Sequence, residues 1–310
     1  VGQNSIGVDK SVILLGLDKE FVVSGDASYD SYFLGAEIIV FKPGARLIFS
    51  PTALSRRNNL IVAARTIVNE DQSKPGVITW ARGSGPATSP PISGQAPSGP
   101  DGQGHGASGS AGANGAQGNP GIGGDNAPNL TLFMISANGA PPIIDFRGQS
   151  GGKGGSGQKG GEGGDGQQGA PASASAFDCK RGAGFGGNGG SGGAGGQGGR
   201  GGQGGKGGTV TLVSLPSAFP TLLQLVRADV SGGDGGEGGD SGDGGSGGSA
   251  GAPGEKALPF CKAEPHRRGA PGPGGQGGSK GDKGSVGLQG DVTYTTLTQE
   301  SFNQLFNLKL

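Results

Sequence analysis

The sequence predicts an all-β chain: a β-solenoid or β-sandwich scaffold carrying three inserted hairpins of polyproline-II-type, glycine-rich helix packed as a layered lattice, with essentially no α-helix. Three observations carry that expectation. From Gly186 to Thr209 the chain reads GGN GGS GGA GGQ GGR GGQ GGK GGT, two glycines in every triplet. A three-residue period belongs to neither an α-helix nor a strand, and matches the turn of a polyproline-II helix. Short, β-branched apolar runs separated by Gly, Pro, Asn and Asp fill the remainder, and favour strands. Finally, Leu130-Thr131-Leu132, Val210-Thr211-Leu212 and Val292-Thr293-Tyr294 repeat one another 80 and 82 residues apart.

Residues 1–82 form a β-rich scaffold. Apolar runs at 12–15, 21–23, 38–41, 47–49, 60–64, 66–68 and 77–80 are punctuated by Gly25-Asp26, Pro43-Gly44 and Asn58-Asn59. Their spacing suggests successive rungs of a solenoid, with a tightly turned sandwich as the alternative. Residues 83–291 then alternate glycine-rich runs with β rungs at 130–147 and 210–230, which places three hairpins near 83–128, 148–209 and 231–291. Within the rungs, 143–147 and 222–230 read as outgoing strands. Residues 292–310 close the chain as a strand, with 302–310 expected to be the last rung or an exchangeable strand.

Composition sets the physical problem. Of 310 residues 75 are Gly and 20 are Pro, and 24 basic side chains balance 24 acidic ones. Ordering backbone costs roughly 1–2 kcal/mol per residue, and glycine loses the most freedom while burying no side chain. A glycine tract therefore orders only if its backbone groups find partners. A polyproline-II helix has no internal hydrogen bonds, so every N–H and C=O must reach sideways. With three residues per turn, two glycine faces let neighbouring backbones approach, and the third carries side chains. The lattice glycines are taken as Gly186, Gly187, Gly189, Gly190, Gly192, Gly193, Gly195, Gly196, Gly198 and Gly199. The variable positions, from Asn188 to Thr209 and from Asp234 to Ser249, hold no large apolar residue, as an outer face requires. A run of this length spans about 75 Å at ~3.1 Å per residue. Disorder and collagen are the competitors; collagen wants one Gly per triplet and abundant Pro, which these runs lack.

The GGx runs between short strands resemble the polyglycine-II sandwich of T-even-type phage tail-fibre adhesins and glycine-rich bacterial surface proteins. The resemblance covers roughly residues 83–291. It implies a polyglycine-II architecture and, in the phage adhesins, hairpin tips that bind a host receptor.

Cys179 and Cys261 lie 82 residues apart, one strand repeat, and so fall at the tips of adjacent hairpins. A disulfide joining those tips is predicted, and with it an oxidising, extracellular setting. Two free thiols, or bridges between subunits, are the alternatives.

Catalytic and cofactor chemistry find little support. Matches to G-x-S-x-G and G-x-G-x-x-G follow from glycine abundance alone, and neither sits on a strand-to-helix turn. His105 and His266 stand apart in Gly/Pro-rich loops. The acids Asp234, Glu237, Asp240 and Asp243 lie about 9 Å apart on one polyproline-II face, too far to share a calcium ion. They read as a solvated ridge facing Arg200 and Lys206 in the preceding run and Lys280 and Lys283 in the following one. No metal or cofactor is expected. There is no apolar run long enough to span a membrane and no basic patch for nucleic acid. The chain starts at Val1 without Met, as expected of a mature product whose leader was removed.

Two functions follow as expectations. The first is a secreted structural protein, its partner itself, that polymerises into an extracellular fibre, sheath or matrix filament through the ends of its β-stack or by strand exchange. The candidate assembly edges are Val12, Leu14, Phe302, Leu305, Phe306 and Leu308. The alternative is an adhesin that binds a cell-surface receptor or glycan through a tip surface of Phe177, Phe185, Phe260, His266, Arg267 and Arg268.

Overall fold

The computed structural model describes residues 18–83, 85–257, 259, 261 and 267–306. Strands dominate, helices are few and short, and the two main sheets are parallel and not closed. The chain opens with β1 (Asp18–Val23), β2 (Asp26–Tyr29), β3 (Phe33–Phe41) and β4 (Arg46–Phe49). After α1 (Pro51–Arg56) come β5 (Asn59–Asn69) and β6 (Val77–Trp80). The first glycine-rich stretch leads into β7 (Asn129–Asn138) and β8 (Ile143–Asp145). The second holds a small antiparallel pair, β9 (Ser173–Ser175) and β10 (Asp178–Arg181), and ends in β11 (Val210–Ser214). Then follow α2 (Phe219–Leu225), β12 (Arg227–Asp229), the third stretch, β13 (Val292–Thr296) and α3 (Gln299–Phe306).

Successive long strands alternate between two sheets. One sheet runs β1-β3-β5-β7-β11-β13 and the other β12-β8-β6-β4-β2. Every pairing within them is parallel. A sandwich linked by tight turns would pair neighbours antiparallel. Here the chain coils, adding one strand to each sheet per turn. Leu130 pairs with Val210 and Val210 with Val292, so the spacing seen in the sequence is the register itself.

Side chains that alternate inward fill the space between the sheets. Leu34, Ile39 and Phe41 of β3 and Leu60, Val62 and Ile67 of β5 face Leu47, Phe49, Ile78, Trp80, Ile144 and Phe146 from the other sheet. Each such buried side chain contributes roughly 1.5–3 kcal/mol, so this interior is the main source of stability. A smaller cluster lies on the opposite face of the first sheet, where Ala63, Phe133, Val213 and Leu215 pack with Phe302.

Of the three short helices, two correct expectations. Ser50 caps α1 by accepting the Ala53 N–H at 3.3 Å, and Pro51 sits at its start, where no N–H is needed. Residues 222–230, read as one strand, split into the end of α2 and the short β12. Pro220 sits in the first turn of that helix, and Leu222 is buried against the core. Beyond β13 the chain forms α3 in place of a last strand. Thr298 Oγ1 accepts the Ser301 N–H at 3.1 Å, and Phe302 takes the buried face. Phe302, Leu305 and Phe306 have the i, i+3, i+4 spacing of a helix, which is the signal the strand reading overlooked.

Candidate functional site

Glycine-rich chain leaves the coil as three outgoing segments, near 85–103, 148–170 and 231–254. It comes back as three returning segments, near 106–127, 184–208 and 269–290. Their backbone N–H groups are satisfied sideways. Where such neighbours exist, each segment donates to the segment just before it in the chain and to the one two places after it. In the second returning segment, Gly187, Gly190, Gly193, Gly196 and Gly199 donate to Gln167, Gly164, Gly161, Gln158 and Gly155. Gly186, Gly189, Gly192, Gly195 and Gly198 donate forward to Arg267, Ala270, Pro273, Gln276 and Ser279. The third residue of each triplet turns its carbonyl to the first returning segment, as Gln197 does toward Gly118 at 2.8 Å. Outgoing segments thus bond to outgoing, returning to returning, and the two sets bond antiparallel.

This network grows out of the sheet without a break. Leu130 N–H bonds Thr209 O at 2.9 Å, then Ala127 bonds Lys206 and Gly124 bonds Gln203, both at 2.8 Å. The ladder runs on while its repeat changes from two residues to three. Polar side chains at variable positions extend it. Asn114, Asn126 and Asn188 accept the N–H groups of Ala194, Lys206 and Ala270 at 2.9, 2.7 and 2.8 Å.

Close approach explains the glycines. A Cβ on Gly195 would collide with the Gly242 carbonyl, and one on Gly196 with that of Ala116. The same holds for each of Gly186, Gly187, Gly189, Gly190, Gly192, Gly193, Gly198 and Gly199, always against a backbone oxygen of a neighbouring segment.

The outermost segments are built differently. On the first outgoing segment, Pro97 and Pro100 accept from Ala113 and Ser110, but they have no N–H to offer beyond. On the last returning segment, the positions equivalent to Gly186 and Gly189 carry Pro271, Lys280, Lys283 and Val286. Gly274 and Gly277 in that same series have room for a Cβ, their nearest neighbours lying 3.6 and 3.8 Å away. Lys283 of that series reaches Glu237 on the third outgoing segment, and among the described residues the forward-pointing N–H groups of that segment, at Gly235 and Gly238, meet no further segment. Both edges of the network are blunted, as exposed strand edges are in natural sheets.

At the root, where outgoing chain leaves the coil, Asp145 gathers two arginines. Arg147 grips it through Nε at 2.9 Å and Nη2 at 3.1 Å, and Arg82 pairs with the same carboxylate. Burial alone would raise the Asp145 pKa; the hydrogen bonds from Arg147 and Arg82 outweigh it and bring the value down to about 2. Buried Gln149 ties the root together, accepting the Asp125 N–H at 2.9 Å and donating to the Arg82 carbonyl.

On the outgoing face the acidic residues find lysines. Lys153 donates to Asp240 at 2.8 Å and Lys283 to Glu237 at 3.0 Å. Hydrogen bonding from these ammonium groups, then their charge, lowers both carboxyl pKa values. Among the described residues, Arg200 and Lys206 take no part in these pairs, contrary to the sequence reading. The lysines that do pair come from the second outgoing segment, at Lys153, and the third returning one, at Lys283.

The far end carries the disulfide. Cys179 in β10 is bonded to Cys261, with Cα atoms 5.1 Å apart, and Ala172 N–H reaches Glu255 O at 2.8 Å. The tips of the second and third excursions are thereby stapled. Phe177, at the β9–β10 turn, is 96% exposed; Phe185 is 53% exposed, and Arg267 and Arg268 are also exposed. Phe260 and His266 lie outside the described residues.

At the other end of the molecule, among the described residues, the outermost strands of the coil are β1 and β2 on one side and β13 and β12 on the other. Beside β12 lies a groove of about 400 Å³ lined by Ile143, Val226, Ala228, Val292 and Tyr294, with Arg227 and Asp229 at its rim. Of the proposed assembly edges, Phe302 is fully buried under the first sheet and so presents no edge. Leu305 and Phe306 belong to the same helix. Val12, Leu14 and Leu308 lie outside the described residues. Sequence reading missed the Asp145 cluster and the edge residues. For the edge, the break in the GGx pattern at Pro271, Lys280 and Lys283 was the available signal.

No family model matches the chain, and no curated protein matches it. Among solved structures, a springtail antifreeze protein from Granisotoma rainieri, described as a nine polyproline type II helical bundle, aligns at 27% identity. The alignment covers 54% of this chain and 99% of that one, with a TM-score of 0.08. So low a TM-score carries no argument about fold or function.

Proposed function

We propose that the chain is a secreted structural protein that assembles end to end into an extracellular fibre, sheath or matrix filament. Its outgoing and returning segments are, on this reading, polyglycine-II helices packed as hairpins into a rigid plate, and its coil is a β-solenoid. The reading assigns the chain no catalytic role and no cofactor. One contrast carries it: the edges of the glycine-rich network are blunted by proline and long side chains, while among the described residues the outermost parallel strands at both ends of the coil have a partner on one side only. An unpaired strand is a template for another chain. Because the two ends differ, end-to-end contact is heterologous and generates an open filament. The Cys179–Cys261 disulfide fits an oxidising exterior, and no described helix is long and apolar enough to cross a membrane. Electron microscopy of purified protein across a concentration series tests the assembly: unbranched filaments are expected, and monodisperse particles at every concentration would sink it.

Exposed Phe177 favours a second reading, an adhesin that touches a receptor or glycan at the stapled tips. Aromatic side chains are enriched where protein surfaces meet partners. Phe177→Ala and Arg267→Ala would then abolish cell binding while leaving particle shape unchanged.

A further inference from the structure

The stapled tips carry a positive charge that the chain as a whole does not. Over all 310 residues, 24 basic side chains balance 24 acidic ones. Across the described residues of 170–186 and 252–269, five are basic, Lys180, Arg181, Lys256, Arg267 and Arg268, and two are acidic, Asp178 and Glu255. All five basic residues are exposed, and among the described residues none of them forms an ion pair.

Backbone contacts gather these charges at one end. Gly186 N–H bonds Arg267 O at 3.2 Å, and Ala172 N–H bonds Glu255 O, beside Lys256, at 2.8 Å. The Cys179–Cys261 bridge fastens β10, which bears Lys180 and Arg181. Arg181 and Arg268 each donate an N–H to a carbonyl, of Pro171 at 3.3 Å and of Ala250 at 3.5 Å, which holds the guanidinium without neutralising it. Ser175 pairs with Asp178, so Ala176 and Phe177 alone make the turn between β9 and β10. A turn that tight fixes its apex. The Phe177 side chain at that apex is 96% exposed, with no wall of its own chain around it.

Resting on the adhesin reading of these tips, we propose that their partner is an anionic lipid bilayer, with Phe177 entering the interface and the five basic residues meeting the headgroups. Sites for small ligands are concave and enclose most of the ligand. A ring exposed on every side encloses nothing, and suits a deformable surface that closes around it. Aromatic side chains favour the interfacial zone of a bilayer. A single apolar anchor holds only weakly without a basic patch beside it, and here both lie on segments tied by one disulfide. Arginine forks also match phosphate geometry, which a lysine point charge does not. The ridge of Asp234, Glu237, Asp240 and Asp243 on the outgoing face disfavours lying flat on a negative surface, so the plate is expected to stand on its tips.

Full-length protein and sedimented vesicles of phosphatidylcholine, with and without phosphatidylserine, test this. Binding to the anionic vesicles and not to the neutral ones is expected, weakening as salt rises. Phe177→Ala should weaken it at least about tenfold, and Arg267→Ala/Arg268→Ala about thirtyfold. All three positions are exposed, so both variants should keep the circular dichroism spectrum of the parent. Phe177→Trp gives a direct readout. Trp80, the one tryptophan of the chain, is 4% exposed, so a blue shift of emission on adding anionic vesicles reports the introduced side chain. No binding to anionic vesicles at low salt, or binding without that shift, would overturn the bilayer as partner. If Phe177→Ala still abolishes cell binding in that case, the tips meet a protein or glycan receptor and the adhesin reading stands. A parent protein that binds neither vesicles nor cells would remove both.

Discussion

Gly195 and Gly277 share a residue type and differ in what surrounds them. Gly195 faces the Gly242 carbonyl, whereas the nearest atom to a Cβ on Gly277 is 3.8 Å away. Gly195→Val forces backbone apart in a network with no other partner for its N–H groups, and loss of several kcal/mol of stability is expected; unfolding by denaturant measures it. Gly277→Ala should be neutral or stabilise by about 0.4–1 kcal/mol, because alanine has less freedom to lose. Gln197→Ala, on an outward side chain, should shift stability by less than about 0.5 kcal/mol. Equal losses at Gly195 and Gly277 would show that close packing is not what selects glycine here. Asp145 makes the other residue-scale case. Its pKa falls from the ordinary 3.8 to about 2, so the folded state favours the carboxylate. The stabilisation is complete above about pH 5 and is lost as pH falls toward 2. Asp145→Asn should lower stability by roughly 1–2 kcal/mol at pH 7 and by far less at pH 2, read from thermal melts at both values.

At the scale of elements, the disulfide and the last helix do separate work. Cys179–Cys261 closes a loop of 82 residues, for which chain entropy gives about 4 kcal/mol. Cys179→Ser/Cys261→Ser should lower the melting temperature. Hydrogen exchange should speed up first near the tips, because the ladder of N–H groups from Gly186 to Gly207 persists without the bridge. Uniformly faster exchange would mean that the staple holds the whole network. Helix α3 covers the outer face of the first sheet through Phe302. Phe302→Ala should cost about 3–5 kcal/mol if that face unfolds with the coil. Its spacing of Phe302, Leu305 and Phe306 was helical in the sequence all along, but β-rich surroundings biased the reading toward a strand.

Over the whole molecule, one ladder of backbone hydrogen bonds runs from coil to tip. Side chains supply the stability near the coil axis, where Phe41, Phe49, Phe146 and Leu60 are fully buried. Farther out, backbone hydrogen bonds link the segments, joined by Asn side chains, the lysine–carboxylate pairs and the disulfide. The periodicities behind both parts were legible in the chain: a two-residue alternation with turn residues for the strands, a three-residue triplet for the segments, and repeats of 80 and 82 residues. Each is a local or self-referring property, because a period states which faces of a segment are apolar, bare or polar before any partner is known. Partners were not legible. Parallel pairing over antiparallel, the Asp145 arginine pair, the lysines chosen by Asp240 and Glu237 and the blunted edges all depend on which distant segments lie side by side. The sequence by itself determined the repeating units and the chemistry of their faces. Only the tertiary structure decided how those faces meet, since a backbone donor that can bond any neighbour acquires a specific one only when the coil sets the order of the strands.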